Sequence, residues 1–129
     1  MSFIERVRAE GRINARFSCE AFVGPHERTV RDWHFFCHAG INIASILIDG
    51  SISACPNIDR RFVQGNIYTD DFQQVWQERF DVMRNRDWMR CGVCAECRRW
   101  ADCLGGAMHL RTPESAIKKC LYHDMYEAK

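Results

Sequence analysis

Residues 91–103 read CGVCAECRRWADC and place four cysteines within thirteen positions. Cys94 and Cys97 are separated by two residues, Cys103 follows after five more, and Cys120 lies on the next segment. A two-residue spacing lets a short turn direct both sulfurs at one metal centre, and a closed thiolate site takes four ligands. The sequence therefore predicts a Cys₄ site, and the spacing alone leaves zinc and iron–sulfur clusters both open.

The whole chain has 129 residues, eight cysteines and a formal net charge of +1. Its length fits one domain that can bury a real core without covalent staples. No apolar run approaches the length of a membrane span, and the first fifteen residues lack the apolar stretch of a signal peptide. We therefore expect a cytoplasmic protein whose thiols serve metal or redox chemistry, not disulfides.

Upstream of the cysteine-rich stretch, Asp49-Gly50 is a strong hairpin signal between Ile-rich flanks. It predicts a β-hairpin over about 43–54, and Cys37 and Cys55 bracket that hairpin. Because a hairpin brings its two ends together, these two sulfurs are candidates for one metal centre.

The remaining segments complete a small α+β domain. Residues 1–18 are a charged, helix-compatible lead-in, residues 19–36 are interpreted as loop, and Gly65-Asn66 marks a turn. An amphipathic helix is predicted over about 71–84, with a core-facing stripe of Phe72, Val75, Trp76, Phe80 and Met83. Residues 85–110 form an irregular region that bound metal can organise, and a short helical stretch follows from Pro113 to about Tyr122.

The cysteine spacing and the words between the cysteines together resemble the SPASM domain, the C-terminal auxiliary-cluster domain of many radical S-adenosylmethionine enzymes. The pattern is Cys37, twelve residues, Gly50, four residues, Cys55, and then the set from Cys94 to Cys120. The short motifs between the cysteines are Ile48-Asp-Gly-Ser-Ile52, Gln64-Gly-Asn-Ile67 and the helix with Val75-Trp76. The similarity spans about residues 35–123, so the predicted organisation is a lead-in over 1–34 and a SPASM-like domain over 35–129.

This resemblance implies one or two auxiliary 4Fe–4S clusters. By position, Cys94, Cys97, Cys103 and Cys120 match the ligands of the second cluster, and Cys37 and Cys55 match two ligands of the first. The family pattern has a further cysteine at position 107, where this chain has Ala107. Cys19, Cys91 and His109 are the candidates to complete the first site, since imidazole can replace thiolate on iron.

The resemblance also implies a partner. A radical core needs a CxxxCxxC motif, which this sequence lacks, and a barrel of about 200 residues. We therefore expect the chain not to catalyse a radical reaction alone. It would serve a radical S-adenosylmethionine core, in cis or in trans, that modifies a peptide or protein substrate, through electron transfer or substrate anchoring.

Three alternatives use the same residues differently. A structural zinc module would close the sites without a redox role, and a recombinant sample can carry zinc in an iron site. A thiol hydrolase would need an activated cysteine beside a histidine, and chance proximity explains the histidines here. Nucleic-acid binding is suggested by basic residues near two tryptophans. A solvated face beside an anionic cluster explains these residues as well. The basic residues are Arg84, Arg86, Arg90, Arg98 and Arg99.

Overall fold

The computed structural model of the chain describes residues 1–18, 21–114 and 116–127. It is a mixed α+β structure, which confirms the predicted class. The α-helices are α1 (Ser2–Glu10), α2 (Glu27–Val30), α3 (Phe72–Glu78), α4 (Asp81–Arg84), α5 (Trp100–Cys103) and α6 (Leu121–Tyr126). The strands are β1 (Ser45–Ile46), β2 (Ser51–Ser53) and β3 (Gly65–Asn66), and short 3₁₀ helices cover Gly24–His26, Arg60–Phe62, Asp87–Met89, Gly92–Cys94 and Met108–Leu110.

The predicted hairpin is confirmed, with shorter paired strands than expected. β1 pairs antiparallel with β2, so that Ile46 lies opposite Ile52. Gly50 adopts a φ of +80° in the connecting turn, and a Cβ there would lie 2.5 Å from the ring of Tyr68. Only glycine combines this backbone angle with this close approach.

The predicted turn at Gly65-Asn66 is wrong, because these residues form β3 and extend the hairpin to a three-stranded antiparallel sheet. The turn begins one residue later, at Ile67. A Cβ at Gly65 would lie 3.1 Å from Val75 Cγ2, so the missing side chain lets the strand lie close to α3.

The predicted helix over 71–84 is divided into α3 and α4. Asp71 begins α3, since its carboxylate accepts a hydrogen bond from the backbone N–H of Gln74 at 2.8 Å. At the break, the carbonyl of Trp76 accepts from Arg84 Nη2 at 2.6 Å. This side-chain donor satisfies a carbonyl that a continuous helix would pair with the N–H of Phe80.

The predicted apolar stripe packs as expected, apart from its first member. Val75, Phe80 and Met83 are fully buried, whereas Phe72 is 40% exposed. Val75, Phe80 and Met83 belong to a main core between the sheet, α3 and the 3₁₀ turns that follow. A second, smaller cluster contains Phe22, Phe35 and Ala107.

Residues 21–36 are more ordered than the predicted loop. They form the 3₁₀ helix Gly24–His26 and then α2. The carboxylate of Glu27 is buried and accepts from the backbone N–H of Val23 at 2.8 Å and of Phe35 at 3.0 Å. One buried acceptor thus ties both ends of the segment together, which no local sequence pattern predicts. The predicted boundary at residue 34/35 stays a prediction.

The predicted helix from Pro113 to Tyr122 is wrong. Arg111 and Ile117 form an antiparallel bridge, and the N–H of Lys118 donates to the carbonyl of Leu110 at 2.8 Å. These pairings join 110–112 to 116–118 in a way that a continuous helix cannot, and the helix begins only at Leu121.

No helix in the described ranges is both long enough and apolar enough to cross a membrane.

Candidate metal centre

The four cysteines of the predicted site are positioned by four short local structures. Cys94 ends the 3₁₀ helix Gly92–Cys94, and its N–H donates to the carbonyl of Cys91 at 3.0 Å. Cys97 lies in the next turn, where its N–H donates a hydrogen bond to the carbonyl of Cys94. Cys103 ends α5, and Cys120 precedes α6, where its sulfur accepts from the N–H of His123 at 3.4 Å. Each thiol is therefore presented by a turn or a helix end.

All four of these cysteines line one cavity of about 450 Å³. The cavity wall also includes Phe22, from near the N-terminus, and Tyr122, from α6, whose rings lie 5.7 Å apart. The structure thus brings Cys94, Cys97, Cys103 and Cys120 around one space, and their role as ligands stays a prediction. Among the residues that the structure describes, no three His, Cys, Asp or Glu side chains form a group that could hold a single metal ion.

The electrostatics of the cavity disfavour four free thiolates. The pKa of the Cys103 thiol is raised from its ordinary value of 9.0 to about 12, mainly by burial and also by the neighbouring Cys120, Cys94 and Cys97. The pKa of Cys120 is raised too, mainly by burial. Four sulfurs that repel one another as anions form a donor set for a cationic centre, which would compensate their charges.

One charged side chain at this site was not predicted from the sequence. Arg111 is fully buried, and its guanidinium donates to the carbonyls of Gly105 and Met89, each at 3.0 Å. Its Nη2 also lies 2.9 Å from Sγ of Cys94. No spacing rule singles out this arginine, because its contacts come from segments that are 6 to 22 residues away.

The arginines near the tryptophans do not form one uniform basic face. Arg84 lies 4.8 Å from the ring of Trp76, and Arg90 lies 5.8 Å from the ring of Trp100. Arg99 pairs with Asp102 and Arg86 is buried. Arg98 lines the cavity. Most of these cations thus have contacts within the fold.

The other candidate ligands lie elsewhere. Cys37 and Cys55 are half-buried and pack against the main core, and neither lines the cavity of the four cysteines. Cys91 and His109 do not line that cavity either. Cys19 lies outside the described residues. The seven described cysteines are all free of disulfide bonds.

Comparison with known families gives one match. Residues 37–98 match the family model of SPASM, an iron–sulfur cluster-binding domain. The matched segment begins at Cys37 and ends just after Cys97, so Cys103 and Cys120 lie beyond it. Searches of curated proteins and of solved structures each found no match. The match confirms the predicted resemblance to the SPASM iron–sulfur cluster-binding domain over residues 37–98.

Proposed function

We propose that Cys94, Cys97, Cys103 and Cys120 hold one 4Fe–4S cluster, and that the chain is the auxiliary cluster domain of a radical S-adenosylmethionine enzyme. The observation that supports the ligand set is the shared cavity, which all four sulfurs line. Four cysteine thiolates are the usual ligands of a 4Fe–4S cluster. The match of residues 37–98 to an iron–sulfur family favours this cofactor over zinc.

The chain's own residues fit such a group in charge as well as in number. Protonated thiols at Cys103 and Cys120 would release their protons when iron binds. A cluster with four thiolate ligands is anionic overall, and the buried guanidinium of Arg111 lies beside one of its sulfurs. Arg111 would therefore hold Cys94 in place and offset part of the charge.

The cluster would serve a partner's reaction. When bound, it supplies reversible one-electron chemistry, which suits electron transfer from a radical core that modifies a peptide or protein. Anchoring of the substrate beside the cluster is the second role that the resemblance suggests. The proposed partner is a radical S-adenosylmethionine core, in cis or in trans, because the sequence itself lacks the CxxxCxxC motif.

The first experiment is metal and sulfide analysis with a visible absorption spectrum, on protein purified without oxygen. We expect iron and acid-labile sulfide in equal amounts, with a broad charge-transfer band. Zinc without sulfide would instead identify a structural zinc module, and the electron-transfer role would be lost with it.

A pair of matched variants tests the ligand set. Cys97→Ser should lose most of the iron, whereas Cys91→Ser should keep it, because Cys91 does not line the cavity. Equal iron content in the two variants would show that the assignment of ligands is wrong.

Reduction by dithionite, followed by electron paramagnetic resonance, tests the redox role. A signal from a reduced cluster that disappears on addition of an oxidised acceptor supports electron transfer. A cluster that stays oxidised throughout would leave substrate anchoring as the role to pursue.

A further inference from the structure

Position 107 is packed among protein atoms. The family pattern would put a further ligand of the upstream cluster there, together with Cys37 and Cys55. Ala107 is 1% exposed and packs with the rings of Phe22 and Phe35, and Cys37 contacts the same cluster. Apolar contacts thus occupy the side on which the missing ligand would lie.

A buried cation lies on the other side of Cys37. Arg86 is 6% exposed, and its Nη2 donates to the carbonyl of Cys37 at 2.6 Å. Its Nε donates to the carbonyl of Met83 at 3.1 Å, and its guanidinium carbon lies 5.0 Å from the ring centre of Phe36. These contacts fix the guanidinium against the backbone that carries Cys37.

Arg86 lies against Cys37, and Cys37 and Cys103 pack against the same group of apolar side chains. Burial lowers the pKa of Arg86, while the thiols of Cys37 and Cys103 act in the opposite direction. Nη1 of Arg86 is buried and has no hydrogen-bond partner within the described part of the chain. A buried cation is costly unless an anion lies nearby. A cluster bound to Cys103 would offer one.

We propose that this chain binds no cluster at Cys37 and Cys55, and that Arg86 supplies the positive charge at that place. The guanidinium is hydrogen-bonded to the carbonyl of Cys37 and would lie near the cluster ligated by Cys103, since Cys37 and Cys103 pack against the same group of apolar side chains. The first half of this proposal, the absence of a cluster at Cys37 and Cys55, concerns the upstream site alone. The second half, the role of Arg86, rests on the proposed cluster at Cys103. The domain is then a one-cluster unit, with a fixed cation beside its cluster.

Iron counting on the reconstituted chain tests the first half. We expect four iron and four sulfide per chain, and the same content in Cys37→Ser and in Cys55→Ser. Eight iron per chain, or loss of iron in either variant, would overturn the inference. Absence of iron from the parent chain would instead overturn the proposed function, so the two failures are distinguishable.

The reduction potential of the cluster tests the second half. Arg86→Gln should keep the iron content but shift the potential to a more negative value, because an added electron would lose a nearby cation. Arg90→Gln is the matched control, since Arg90 is exposed and lies over Trp100. Equal potentials in the two variants would refute the role of Arg86.

A second variant protects this test against misfolding. Arg86→Lys keeps the charge, so its potential should stay nearer to that of the parent than to that of Arg86→Gln. If Arg86→Gln does not fold, a potential of Arg86→Lys that falls well below the parent's would count against charge as the cause. The iron count of Cys37→Ser decides the stoichiometry independently of any change at Arg86.

Discussion

Nη2 of Arg111 lies 2.9 Å from Sγ of Cys94, so a fully buried guanidinium is hydrogen-bonded to a sulfur of the candidate metal centre. The same side chain spans the carbonyls of Met89 and Gly105. One cation therefore connects three turns whose positions determine the shape of the cavity. The fixed fork of donors makes arginine, and not lysine, suited to this place.

Removal of the Arg111 guanidinium should destabilise the metal-free protein. Arg111→Met leaves buried carbonyls without their donor, at a cost on the order of 3 kcal/mol in the free energy of unfolding. Urea denaturation of the metal-free protein measures it. The exposed Arg28→Met should change stability by no more than about 0.5 kcal/mol. A metal-free Arg111→Met protein as stable as the parent would contradict the bracing role.

The buried carboxylate of Glu27 gives a second stability prediction. Its two oxygens accept from two different N–H groups, those of Val23 and Phe35. Glu27→Gln keeps only one acceptor oxygen, so one buried N–H loses its partner, at about 1–3 kcal/mol. Thermal or urea unfolding measures the loss, and the exposed Glu10→Gln serves as the control. Equal stability of the two variants would show that the segment does not depend on this carboxylate.

The cap of α3 gives a smaller and more local effect. Asp71→Ala removes the acceptor for the N–H of Gln74 and should cost about 1 kcal/mol. Asp71→Asn retains a capping oxygen and should cost only a few tenths of that amount. If the two variants unfold at the same urea concentration, the cap contributes nothing beyond the change of charge.

The raised pKa of Cys103 predicts an alkaline instability of the metal-free protein. Its folded value of about 12 exceeds the ordinary 9.0, so the folded state binds this proton more tightly than the unfolded chain does. The stability that depends on this proton is complete below pH 9.0 and is lost as the pH rises towards about 12. Cys103→Ala should flatten the fall in melting temperature over this range. An equally steep fall in the variant would assign the effect to other groups.

Removal of the cluster should loosen one part of the domain selectively. Residues 92–122 supply all four cysteines in short turns and helix ends, whereas the main core comes mostly from residues 39–89. Hydrogen exchange, measured by mass spectrometry with and without the cluster, should lose protection over 92–122 and retain it over 45–53. A uniform loss across both regions would indicate that the domain folds only as one metal-dependent unit.

The sequence predicted the features that arise from local chemistry. Asp49-Gly50 predicted the hairpin, because the turn conformation depends on those two residues alone. The spacing from Cys94 to Cys120 predicted the set of thiols that shares one cavity, and their role as ligands stays a prediction.

The features that were missed depend on contacts between distant segments. Pro113 has the chemistry of a helix start, yet backbone hydrogen bonds pair 110–112 with 116–118 and replace the helical pattern there. No sequence pattern identifies Arg111 or Glu27, because each forms its hydrogen bonds with carbonyls or N–H groups from other parts of the chain. Such charges become evident only when the fold is known.

The ring of Phe22 lies 5.7 Å from that of Tyr122, so the cavity is closed by residues that are far apart in the sequence. A ribosome adds Phe22 well before Cys120. The nascent chain therefore cannot present the full set of four sulfurs until Cys120 has been added. Insertion of a cluster with all four ligands would follow that step, and a chain truncated before Cys120 would be unable to retain one.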